Sequence, residues 1–564
     1  MGGREVYVTD MSQCRPSWAL SRRWEEGKWT LIDYELEGGL RGTMLYFGSL
    51  DWLHEVSRGT YGEPDRYSDP PEVVCPLGLE GWHAVYLGIH YGPHPSAPVK
   101  VKLSSEEHFD VVDKEECLPK DGYFPEKMGF GPFDVLEAFW RYADLAGEDL
   151  VIAHPRGIRL NSNLTYVRLV PIAEDEAERL LREEAPRPDT RRLIAIFDGG
   201  VALRFRSEED VCEHLKPFEG TDFRAVLWGV ALGNICNYPT KVGDDRSRFD
   251  TLRVAVRRAH ELGLEILASF RFEGPLMHFY TPLHELTAGR FYWENLHLRC
   301  LDEEGNPTNH LSLAYPEVRR HWIELMREAL WGYGVDGVHV VFTRCHPFVL
   351  YERPVVEEFI ERYGVDPREL DPRDERWLRH RASYVTQFLR EVRAMLREAE
   401  AELGRDLKAA YHVMNSVANS LYFGLDVEAW VREGLVDYLI IHPCFTVDER
   451  VPTDWRVRPE FVREYAELVK GRCELYVDVY PRRMPAEAYR LKAIEYYEAG
   501  ADGLCFWDTN TRFVRKSEWR IVTRLGHREE LRSWARKTRG VFRVRRLKKL
   551  AGMTVDMRYS FTDG

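Results

Sequence analysis

Over residues 1 to about 188, apolar positions recur every second residue in short runs. These are Trp29–Leu36, Thr43–Phe47, Trp82–His90, Val99–Leu103, Leu150–His154 and Leu164–Ile172, separated by Gly, Pro and Asp clusters. A period of two puts alternate side chains on opposite faces of a strand, and many such runs with turn signals predict an antiparallel β-sandwich of jelly-roll type. Glu174–Glu184 reads as a charged helix, and Ala185-Pro186-Arg187-Pro188-Asp189 as a linker, so the boundary is placed at 188.

Beyond it the pattern changes to β/α alternation. Strands are predicted at Leu193–Phe197, Ala225–Gly229, Leu264–Phe270, Gly337–Thr343, Leu407–Val413, Val436–Ile441, Glu474–Val479 and Gly503–Trp507. Between them lie segments of helical period: Glu208–Leu215, Arg248–Leu262, Pro316–Tyr333, Glu375–Leu403, Val427–Glu433, Pro459–Lys470 and Pro485–Ala499. Eight strands with intervening helices over residues 189–540 predict a (β/α)8 TIM barrel of the α/β class. An open doubly wound sheet is the alternative, but no Gly-rich phosphate loop follows the first strand. Residues 541–564 are left as a C-terminal tail or docking strand, because Val541–Val544 reads as a last short strand.

In a barrel of this kind the C-terminal ends of the strands carry the chemistry. Alternation puts Ile194, Ile196 and Asp198 on one face, Leu267, Ser269, Arg271 and Glu273 on another, and His339, Val341 and Thr343 on a third, with Arg344 and His346 just beyond. The fifth strand delivers His412, then Asn415; the sixth delivers His442; the seventh carries Tyr476, Asp478 and Tyr480; the eighth ends in Trp507 and Asp508. Three long connections, 230–247, 271–311 and 344–374, emerge at that same face and are expected to be structureless loops walling a cleft.

Glycosidic cleavage needs two carboxyl groups. Asp478 and Glu273 are the expected catalytic pair, with Asp508 third. Asp478 stands inside an apolar strand, where a carboxylate is costly unless paired or solvated. Arg271, His412, Asn415 and His442 are expected to bind sugar hydroxyls or a uronate carboxylate, and Asp198, Arg344, His346 and Tyr480 are expected among the substrate-binding residues. Trp228, Tyr238, Trp293, Trp455 and Trp507 are candidates for stacking on sugar faces, with core packing the stronger reading for Trp228. The histidines lack HxH or HExxH spacing, so neither a metal nor a cofactor is expected.

The chain of 564 residues carries a net charge of -14, which argues against nucleic acid as a partner, while 12% aromatic residues with 16 Trp favour a carbohydrate, whose binding needs flat apolar faces. The 10 Cys are scattered without a CxxC pair, which reads as reduced, buried thiols. No apolar run reaches the roughly 18 residues of a membrane span. Met1–Asp10 lacks a basic-then-apolar leader, so a cytoplasmic protein is expected, or a secreted one from which a leader was removed.

Several stretches occur in a telling order: Ile196-Phe197-Asp198-Gly199-Gly200, Val226-Leu227-Trp228 with Asn237-Tyr238-Pro239, Ala268–Phe272, and Phe291–Glu294. Leu313–Arg319, Tyr333–Val338, Gly434–Tyr438 and Ala499–Asp508 follow. Through these the region of about 190–535 resembles a bacterial group of family-10-like glycosyl hydrolases. The resemblance implies a barrel acting on a glycoside or polysaccharide, preceded by an accessory β domain; Asn237 and Tyr238 are counted among the expected substrate-binding residues. Members of the group commonly carry acidic residues on the inward face of the fourth strand; here those positions are His339 and Val341. The sequence therefore supports a glycoside hydrolase first. A non-hydrolytic carbohydrate-binding protein with a degenerate site, or a polysaccharide lyase, stands as the alternative.

Overall fold

The computed structural model describes residues 4–48, 69–90, 99–112, 134–154, 162–185, 187–198, 205–272, 289–343, 346–444, 457–480, 486–507, 509, 516–533 and 544–555. The N-terminal runs form two mostly antiparallel sheets. The larger follows the path Val6–Val8, Tyr166–Pro171, Trp82–His90, Asp134–Asp144, Val544–Leu550, Trp29–Leu36, Arg41–Phe47, Ser162–Leu164. The smaller runs Val73–Cys75, Leu150–Ala153, Val99–Leu103, Asp110–Val112. One hydrophobic core joins them, with Leu45, Val85 and Trp140 from the first and Val73, Val99 and Ile152 from the second. Strict alternation of buried and half-buried residues along Val99–Leu103 shows why this sequence is a strand with one face in that core. The C-terminal strand Val544–Leu550 lies between Asp134–Asp144 and Trp29–Leu36, antiparallel to both.

Eight parallel strands close the barrel: Leu193–Phe197, Phe223–Leu232, Glu265–Arg271, Gly337–Val341, Lys408–Val413, Tyr438–Ile441, Glu474–Asp478 and Gly503–Phe506. Closure comes from the first strand, which pairs in parallel with both the second and the eighth. The helix Pro316–Tyr333 shows how each αβ step is written locally. Pro occupies its first turn, and Gly334 ends it in the left-handed conformation (φ 76°), its N–H reaching back to Leu330 O. Three residues on, Gly337 opens the fourth strand, where a Cβ would lie 2.1 Å from Lys408 O of the fifth. Only glycine lets the two backbones approach that closely.

The expectation of structureless connections is corrected. Ile235–Cys236 folds back as a hairpin on the second strand. Arg299–Leu301 and Pro307–Leu311 form a second hairpin, and the third connection contains the helix Arg353–Tyr363. These insertions carry their own backbone hydrogen bonds and apolar contacts, which is how long connections stay ordered. Among the described residues no helix is long and apolar enough to cross a membrane.

Candidate functional site

Inward-facing side chains form successive polar layers along the barrel axis. At the N-terminal end Arg224 donates to Glu265 (3.2 Å) and to both oxygens of Glu474 (2.7 Å each), while Tyr438 and Tyr476 donate to Glu265 and Glu474 at 2.8 and 2.9 Å. These pairings cross between the second, third, sixth and seventh strands, so they plug the barrel floor.

The next layer is a continuous chain. His339 Nδ1 lies 2.7 Å from Ser269 Oγ, His339 Nε2 lies 2.7 Å from His412 Nδ1, and His412 Nε2 lies 3.8 Å from Cys505 Sγ. The strand register produces it, because Ser269 is paired with His339, and Val341 with His412. Burial pushes the His339 imidazole down to about 3, against the pull of the Asp198 charge. A neutral imidazole has one donor and one acceptor nitrogen. The chain is therefore polarised along its whole length, from Ser269 towards Cys505 or the reverse.

At the C-terminal end two carboxylates are engaged. Asp198 accepts both oxygens' worth of bonding from Arg271 Nη1 (2.7 and 2.6 Å), across the first and third strands. Asp478 Oδ2 accepts from His442 Nδ1 (2.6 Å), and its Oδ1 accepts from the backbone N–H of Trp507 (3.1 Å). The bond between Nδ1 and Asp478 Oδ2 fixes the orientation of the His442 ring. The Trp507 ring packs on His442 and His412 at centroid distances of 4.8 and 5.1 Å.

A cleft of about 430 Å³ opens among the connections that follow the fourth and fifth strands, lined among others by His346, Phe348, Tyr351, Arg381, Tyr422 and Phe423. His346 packs against Phe423 (4.3 Å). The Arg381 guanidinium donates to Val349 O (3.4 Å) and Tyr422 O (3.1 Å), and desolvation pushes its pKa down. Nearby, burial raises the Glu352 carboxyl against the bonds it accepts, and it holds His310 down to about 3.

Asp198 is brought to Arg271, and His442 to Asp478 and, by ring contact, to His412, while His346 lines the cleft. Five expected substrate contacts are corrected. Trp228 is 1% exposed and lies in register with Phe197 on the outward face, stacked on Phe205 under the helical layer. Tyr238 is buried and donates to Glu328 of the helix Pro316–Tyr333 (3.2 Å). Asn237 is buried and donates its side-chain amide to Gly229 O, stapling the hairpin to the second strand. Asn415 accepts from Asn419 (2.9 Å) and is spent on the turn into the helix Val417–Tyr422. Trp507 is fully buried and braces two imidazoles instead of offering a sugar an open face. Tyr480 is 5% exposed at the end of the seventh strand, and Trp293 is 36% exposed. Glu273, Arg344, Trp455 and Asp508 lie outside the described residues.

Ser269, Cys505, Glu352 and Arg381 were missed as site residues. Ser269 and Cys505 alternate with Arg271 and Trp507, a usable signal. Arg381 sits between Trp377 and Val385 at i, i+4 spacing on an apolar stripe, where a charge marks a non-solvent role.

The donors that come together as a metal-sized group are elsewhere. Among the described residues, Asp189, Asp222 and His527 bring ligand atoms within 4.8 Å of one another, beside the N-terminal ends of the first two strands. Asp222 already accepts from the backbone of Thr190 and Arg191 (2.8 Å each) and from the Thr190 hydroxyl, so the group holds the barrel floor together.

The family described as glycosyl hydrolase-like 10 matches residues 222–448, which span the second to sixth strands with His339, His412 and His442. No curated protein matches the chain in sequence. Among solved structures it is similar to an alpha-L-fucosidase isoenzyme 2 from Paenibacillus thiaminolyticus, with 15% identity over 61% of this chain and 50% of that one (TM-score 0.40). A beta-galactosidase from the Antarctic haloarchaeon Halorubrum lacusprofundi gives 14%, 60%, 58% and 0.43 in the same order. A Flavobacterium johnsoniae chitobiase gives 14%, 66%, 53% and 0.36. The chain therefore spans between half and three-fifths of the length of these proteins. Likeness at this level says nothing of substrate. Residues 222–448 form a glycosyl hydrolase-like segment of a TIM barrel.

Proposed function

We propose that this protein cleaves a glycosidic bond in an oligo- or polysaccharide at the C-terminal mouth of the barrel. The observation that carries the proposal is the glycosyl hydrolase-like match of residues 222–448 on a barrel whose strand ends carry the Asp198–Arg271 and His442–Asp478 pairs. The cleft lined by His346, Phe348, Tyr351, Arg381, Tyr422 and Phe423, built on connections that follow the fourth and fifth strands, has the volume of a small-ligand site and combines aromatic walls with polar groups, as such sites do.

In this proposal Asp478 works through His442. With one oxygen on the imidazole and the other on a backbone N–H, it orients the ring and stabilises its protonated form. His442 then exchanges a proton at Nε2. Glu273 and Asp508 follow the third and eighth strands in sequence and supply the carboxyl groups that attack or protonate at the glycosidic bond. The Asp198–Arg271 pair binds hydroxyls.

A second reading, carbohydrate binding without cleavage, is favoured by one observation. Val341 is fully buried on the inward face where the resemblance leads one to expect an acid. A screen of polysaccharides and aryl glycosides with reducing-end detection, run beside calorimetry, separates the two. New reducing ends that accumulate with enzyme and time support hydrolysis. Saturable binding with no product supports the second reading, and neither signal on any glycan overturns both.

A further inference from the structure

Cys14 and Cys75 are 61 positions apart in sequence, and nothing in their spacing marks them as partners. The backbone does. Arg15 and Val74 form an antiparallel bridge and exchange both hydrogen bonds, at 2.9 and 2.8 Å. The next residues in that ladder, one step back on one strand and one step forward on the other, are Cys14 and Cys75. They are therefore directly opposed as a non-hydrogen-bonded pair. In such pairs the Cα atoms are about 4.5 Å apart and the side chains lie on the same face, which falls within the roughly 4.4–6.8 Å that a disulfide spans. Burial agrees with this register: Cys14 and Cys75 are 1% and 0% exposed in one core, while Arg15 is exposed and Val74 half-buried between them.

We propose that Cys14 and Cys75 are a cross-strand modification site that closes to a disulfide in an oxidising environment. The two thiols already interact, and the hydrogen bond from Cys14 holds the Cys75 thiol below its usual range, which makes Cys75 the attacking sulfur. With a small-molecule disulfide such as oxidised glutathione as the oxidant, Cys75 thiolate attacks one glutathione sulfur and expels the other as a thiolate. Cys14, giving up its proton, then attacks the Cys75 sulfur of the mixed disulfide and expels the second glutathione. Two protein thiols lose two electrons and two protons, and one glutathione disulfide becomes two glutathione thiols.

The bridge has a structural consequence. Cys14 belongs to the N-terminal segment, which also bridges Asp10 to Thr43 of the larger sheet, whereas Cys75 ends a strand of the smaller sheet. The bond ties the two sheets together and restrains the unfolded chain over residues 15–74.

The test uses the full chain, unfolded and refolded in glutathione buffers from reducing to oxidising, then acid-trapped, alkylated and mapped by mass spectrometry. The oxidised wild type is expected to show two fewer free thiols than the reduced protein and to yield a Cys14–Cys75 cross-linked peptide. It should also melt at a higher temperature than the reduced form. Cys14→Ala and Cys75→Ala, which keep the core apolar, should keep all their remaining thiols free and show no redox-dependent shift. Alkylation of both Cys14 and Cys75 at every poise would overturn the proposal, as would pairing of either with another cysteine. If one variant fails to refold, the wild-type map and the other variant decide.

Discussion

Burial sets what His339 contributes at each pH. In the unfolded chain an imidazole takes a proton below about 6.5; in the barrel, burial holds His339 down to about 3. A depressed folded value means that its share of stability is complete above the unfolded value and is lost as pH falls towards the folded one. Stability should therefore decline from pH 6.5 to 3, by about 1.4 kcal/mol per pH unit for each such histidine. His310, also held to about 3, adds to the same window. Urea denaturation at a series of pH values checks this: His339→Gln should be less stable at neutral pH but show a shallower acid slope, and an unchanged slope would contradict the assignment. Trp228 separates packing from binding in the same way. Truncating it to Ala should cost about 3–5 kcal/mol of stability, while leaving the KM of the folded fraction unchanged. A large rise in KM with no loss of stability would return it to the substrate site.

At the scale of elements, the αβ step from Pro316 to Val341 was legible because three independent signals agree. The helical period of Pro316–Tyr333 was one, the Gly334 stop the second, and the apolar β-branched run after Gly337 the third. The inward layer was legible for a related reason: a period of two leaves no freedom over which face His339, Arg271 and Asp198 occupy once the sheet closes. Trp228 was left open because an indole suits a core as well as a sugar face, and only its pairing with outward-facing Phe197 decides between them. Asn237 and Tyr238 escaped because a short hairpin turns them under the helix Pro316–Tyr333, and no periodicity describes a hairpin that small. The cleft residue Arg381 comes from a helix 29 residues long, far in sequence from the strands it serves. The close approach at Gly337 gives this scale its own prediction. Gly337→Ala drives a Cβ into the Lys408 carbonyl and should cost more than about 4 kcal/mol. Failure of the variant to accumulate as soluble protein, or a steep drop in its melting temperature, is the expected result; wild-type melting would mean that the two strands can separate freely.

The whole molecule is held together at both ends of the chain. Val544–Leu550 fills the gap between Asp134–Asp144 and Trp29–Leu36, and Arg520 of the helix Lys516–Val522 donates to Trp140 O (3.0 Å). Deleting residues 541–564 leaves two strands without their shared neighbour and exposes their edges. The deletion should lower the melting temperature and bring early proteolysis in the first 188 residues; wild-type protection there would show that the strand is dispensable. The docking strand was visible in sequence only as a short run at Val541–Val544, because its partners, Asp134–Asp144 and Trp29–Leu36, lie in the first quarter or so of the chain. For the molecule's chemistry the central claim is that Asp478 holds His442 for proton transfer to a glycoside. The most direct measurement is kcat on whichever glycan the screen identifies, for wild type, Asp478→Asn and His442→Gln. Both variants should fall by about 10²–10⁴-fold in kcat with their melting temperatures measured alongside. Full turnover in Asp478→Asn would contradict the account.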